Sequence, residues 1–99
     1  MTTTDRATPA ASALADIVRM RNAAQAECDA ARTPLEQPYL RGSLAVWDEA
    51  VVTIAADGAA ACRRMADIVE QAYADAPHMT YGHGAKQAAR TIATILWRL

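Results

Sequence analysis

The sequence contains no phenylalanine and few aromatic residues of any kind: two Trp and three Tyr among 99 residues. Strands draw on aromatic and β-branched residues in alternation with polar ones. No such stretch occurs, so a sheet protein is excluded. Two cysteines are too few for a disulfide framework and fit a reducing compartment. No window holds 18 continuous apolar residues, which excludes a membrane-spanning helix. Met1 runs into Thr-Thr-Thr-Asp-Arg rather than a basic start and an apolar stretch, so a secretory signal is not expected and the predicted location is the cytoplasm. The formal net charge is only −1. That argues against wholesale binding to nucleic acid or to an anionic membrane. No cofactor motif is present, and no cofactor is expected.

What is present is alanine, about a quarter of the chain, together with Leu, Arg, Gln, Glu and Met. These residues favour helix. The pattern predicts an all-α protein, with residues 1–7 a disordered tail and 8–99 a single helical domain. The strongest signal is an apolar stripe at steps of three or four. It runs through Leu40, Leu44, Trp47, Val51, Ile54, Gly58, Cys62, Met65, Val69, Tyr73 and Ala76. That is the period of one helix face. Read as one helix over 38–76, it would be a rod about 55 Å long. Pro9 and Pro34 bracket a first helix over about 9–32. Pro77 ends the long helix, His78 to Gly84 form a loop, and a third helix follows over about 85–98.

The lengths suggest three helices, with the first and third packed antiparallel, end to end, along the central one. Short connections then set the register. Residues of helices one and two meet where their numbers add to about 72, and those of helices two and three where they add to about 160. A break at Asp57-Gly58 would instead make a compact four-helix monomer. The stripe keeps phase across Gly58, and this favours the continuous rod. Two short helices cover only one side of such a rod. Ala45, Val52, Ala56, Ala59 and Ala60 would lie on its bare back, an apolar patch of the kind that marks interaction sites. They are the expected interface of a homodimer, forming a dimeric helical bundle.

Charge is unevenly placed. Residues 77–99 hold Lys86, Arg90 and Arg98 and no acid. His78, His83, Lys86, Arg90, Trp97 and Arg98 are the candidate residues for binding a partner or an anion. Helix-start amides, Gly82, Gly84 and Lys86 would suit phosphate or carboxylate. The plainer expectation is a structural loop with Gly84 as N-cap and Lys86 paired to Asp75. His78 and His83 lack companions for a metal set, so no metal site is predicted. Trp97 is expected to lap over the end of helix one. Cys28 and Cys62 are too far apart to join and read as small buried apolar residues.

Asp48, Glu49, Asp67 and Glu70 form two acidic pairs. They resemble the metal-binding carboxylates of all-α nucleotide pyrophosphohydrolases, which are dimeric helical enzymes. The resemblance covers four positions and implies Mg²⁺-dependent hydrolysis. On one continuous helix the pairs would stand about 28 Å apart and could share a metal only across a dimer. A solvated acidic face is the simpler reading.

No catalytic constellation stands out, so the expected function is that of a small non-enzymatic protein-binding or assembly protein. Inhibitors, immunity factors and adaptors of bacteria or phage have this build. Its partners would be itself and a further protein. The alternatives are nucleic-acid or anion binding through the basic C-terminal helix, and the pyrophosphohydrolase-like enzyme.

Overall fold

The computed structural model describes residues 9–97. These residues form four helices: α1 (Pro9–Ala30), α2 (Gln37–Asp57), α3 (Ala59–Ala72) and α4 (Tyr81–Leu96). Among the described residues there is no strand. The expected tail at 1–7 lies outside the described residues.

The three-helix layout is overturned at Gly58. Its backbone sits at φ 92 and ψ 176, in a region that only glycine occupies at ease. The Gly58 N–H closes α2 on Ile54 O at 3.2 Å, and the Gly58 carbonyl opens α3 by accepting from Cys62 N at 3.2 Å. One residue therefore serves as the end of one helix and the start of the next. The chain folds back, and the Cys62 thiol comes within 3.7 Å of the Ala50 carbonyl. The predicted rod is two helices. With it goes the bare side that called for a dimeric bundle.

The unbroken stripe did not reveal the break, and the reason is geometric. Trp47, Ala50 and Ile54 of α2 and Cys62 and Ala66 of α3 all point into one core. A helical repeat records which face of each turn is buried. It does not record whether successive turns share an axis.

The pairwise registers survive. Arg21 of α1 meets Asp48 of α2 at 2.6 Å, within one turn of the expected pairing. Arg90 of α4 meets Glu70 of α3 at 2.6 Å, on the expected one. What the layout adds is α2 against α4, the most extensive packing in the molecule. The two helices run in the same direction. Gly42 faces Tyr81 and Ala85, and Gly84 faces Tyr39 and Ser43. A Cβ at Gly42 would overlap the Tyr81 carbonyl oxygen, and one at Gly84 the Tyr39 carbonyl oxygen. The glycines let the two backbones touch.

The core is built accordingly. Half of the fourteen buried apolar side chains among the described residues are alanines, including Ala50, Ala66, Ala85 and Ala89, and the bulk comes from Ile17, Trp47, Ile92 and Leu96. Small side chains let helix axes approach closely, and this offsets the shortage of large ones. α1 lies mainly on α2 and α3 packs on α4 and α2, which leaves the molecule 19 Å across its thinnest direction. That is about two helix diameters.

Candidate functional site

Two surfaces gather the residues singled out by sequence. The first is the turn between α3 and α4. The last helical residue of α3 is Ala72, and α4 begins at Tyr81, four residues earlier than predicted. Its N-cap is Thr80 rather than Gly84. The Thr80 hydroxyl accepts from His83 N at 3.3 Å and donates to Pro77 O at 2.7 Å. The Gly84 amide donates to Thr80 O. Two of the amides assigned to an anion are thus used by the helix itself.

The cations are engaged as well. Lys86 Nζ donates to the Ala74 carbonyl at 3.1 Å, just past the end of α3, instead of pairing with Asp75. There its charge suits the negative pole of α3, the converse of its unfavourable place near the start of α4. Arg90 is held by Glu70. Trp97 does not lap over α1; it is 73% exposed. Arg98 lies outside the described residues.

His78 and His83 do meet, with ring centroids 4.8 Å apart. The Tyr39 ring of α2 also packs on His83, with centroids 5.2 Å apart. Met79 stands between the histidines in sequence at φ 67, a left-handed conformation for a residue that is not glycine. Such a position costs about 1–3 kcal/mol and persists only where neighbours hold it. Here the Met79 amide donates to His83 Nδ1 at 3.1 Å. His83 Nε2 lies 3.3 Å from the side-chain amide of Gln87. With Nδ1 accepting, the neutral ring carries its proton on Nε2, and a half-turn of the Gln87 amide would bring its oxygen, in place of the nitrogen that faces the ring, into position to accept it. Burial of the ring, then the positive potential of His78, Lys86 and Arg90, lowers the His83 pKa below its ordinary 6.5. These residues border a cavity of about 340 Å³ lined by Glu36, Tyr39, Leu40, His78, Met79 and His83. Nothing in the sequence pattern pointed to Tyr39 or Met79. Tyr39 belongs to a distant stretch of chain, and the φ of Met79 has no sequence signature.

The second surface is the groove between α2 and α3. Val52 is 64% exposed and Ile68 68%. Ala56 and Ala60 are exposed, whereas Ala45 and Ala59 are half-buried and Ala59 packs against the core. Of the five residues predicted to form an interface, three therefore face solvent. The groove has a volume of about 520 Å³. Glu49, Thr53 and Asp57 line its α2 wall, and Arg64, Met65 and Ile68 its α3 wall. Arg63 and Asp67 flank Arg64 on the outer side of α3.

The fold-back brings the α3 acids opposite the Glu49 region, rather than far along one rod. Their partners pull them apart again. Asp48 is turned to Arg21 of α1 and Glu70 to Arg90 of α4. Among the described residues, no three His, Cys, Asp or Glu side chains are grouped to hold a metal ion. Cys28 and Cys62 are both free thiols, the first half-buried and the second fully buried, and burial raises the pKa of each. Neither has the electropositive, exposed setting of a reactive thiolate.

The fold and surfaces together define a small four-helix protein in which no described helix is long and apolar enough to cross a membrane. No family model, curated protein or solved structure matches the chain.

Proposed function

We propose that this chain is a non-enzymatic protein-binding module that receives an amphipathic helix of a partner protein in the α2–α3 groove. The observation that carries this reading is Ile68, a large apolar side chain 68% exposed on the α3 wall of the groove beside Met65 and Val69. Ala61, also in the groove lining, has a side chain short enough for a partner helix to approach closely. The α2 wall carries Glu49 and Asp57 and the α3 wall Arg64. A helix with a basic edge and an acidic edge would seat in one direction, because opposite walls of the groove differ in sign. The apolar centre would supply affinity and the charged walls orientation.

The test is site-specific photo-crosslinking in the native cell. A crosslinker at position 68 is expected to give one discrete adduct, and Thr53→Arg, on the α2 wall of the groove, to abolish it. The same crosslinker at exposed Thr94 on α4 is expected to give none. Equal adducts at 68 and 94, or an adduct unaffected by Thr53→Arg, would remove the basis for this reading. An adduct of doubled mass at 68 would identify the partner as a second copy of the chain.

A further inference from the structure

The α3–α4 connection joins three features to a Pro77–Thr80 turn closed by the Thr80 N–H on the Pro77 carbonyl at 3.2 Å. Met79 is left-handed without being glycine. Its amide hydrogen is directed at His83 Nδ1, 3.1 Å away. A second imidazole, His78, lies against the first. A ring nitrogen accepts a hydrogen bond only while it has no proton of its own. We propose that the Met79–His83 bond is a proton-released clasp, which holds the turn over the Tyr39–Leu40 cavity when His83 is neutral and lets it swing away when Nδ1 takes up a proton from water. In the protonated state the Met79 N–H and the new Nδ1–H point at each other. The left-handed Met79 then loses one of the contacts that restrain it, while the Thr80 N–H still bonds the Pro77 carbonyl.

The surroundings set the direction of the response. From the turn, His78 faces His83. On α4 itself stand Lys86 and Arg90, the first bonded to the Ala74 carbonyl and the second to Glu70 of α3. α2 contributes the Tyr39 phenol and Glu36, whose carboxylate already accepts from the Arg32 amide at 3.2 Å. α1 brings Glu27 to the neighbouring groove beside Tyr39 and Gln87. The positive groups and partial burial disfavour the imidazolium, so the clasp is closed at neutral pH and opens in mild acid. Because the folded pKa lies below the unfolded 6.5, the contribution of His83 to stability is present above that value and is lost as pH falls through the folded pKa.

Nitrogen-15 NMR of the full chain between pH 8 and pH 4.5 tests this. At pH 8 His83 is expected as the Nε2–H tautomer. Protection of the Met79 amide, corrected for intrinsic exchange at each pH, should fall about tenfold, roughly the loss of one net hydrogen bond. Its midpoint should coincide with that of the His83 ring. In His78→Gln, which removes a like charge and leaves the bond in place, both midpoints should move up together. An Nδ1–H tautomer at pH 8, Met79 protection unchanged while His83 titrates, or midpoints that separate in His78→Gln would each overturn the clasp.

Discussion

Gly42 and Gly84 show how much one hydrogen in place of a methyl group decides. Each stands where the other helix's backbone passes, so an added Cβ meets a carbonyl oxygen that cannot rotate away. Gly42→Ala and Gly84→Ala are each expected to destabilise the fold by about 1–3 kcal/mol, the range for overpacking, although alanine is the better helix former. Urea unfolding monitored by circular dichroism would measure it. Gly42 stands inside a helical stretch of the sequence, and nothing there points to α4, because the pattern pairs the third helix only with the second half of the rod. Thr80 behaves more simply. Thr80→Ala removes an N-cap and a bond to the Pro77 carbonyl and should cost about 1 kcal/mol by the same measurement.

At the scale of elements, the helices were legible and their ends less so. Prolines marked the first boundary to within two residues, since a residue before proline leaves the helical region. Where no proline intervened, at Gly58, continuity prevailed in the pattern and a break in the fold. A Cβ at Gly58 would meet nothing within 4 Å, so its constraint is backbone conformation alone. Gly58→Ala should therefore destabilise the hairpin by about 1–3 kcal/mol. It should also favour the straight helix that the stripe suggests. Small-angle scattering of that variant is expected to show a longer particle, and an unchanged profile would mean that packing of α3 on α4 outweighs the local strain. The Arg90–Glu70 pair joins the same two helices but is well exposed, and Arg90→Ala should change stability by no more than about 1 kcal/mol, with the difference shrinking in high salt.

On the scale of the whole molecule, the fold-back replaces an open rod with a four-helix core and leaves on its surface the α2–α3 groove, where Met65 and Ile68 lie between charged walls. Val52→Glu and Ile68→Glu should each leave the thermal midpoint nearly unchanged, within about 0.5 kcal/mol, because exposed positions tolerate substitution. Leu96→Ala, at a fully buried position, should instead cost about 2–5 kcal/mol in the same experiment. Helical class, much of the inward face of the helices and the pairing of α1 with α2 and of α3 with α4 were already determined by the amino-acid sequence, because periodicity and short connections are local properties. The tertiary structure alone decided that Gly58 folds the chain back, that α2 and α4 run side by side through two glycines, and that Tyr39 and Met79 join the histidines. Each of these rests on contacts between residues distant in the chain, or on a backbone angle, and neither leaves a repeat to read.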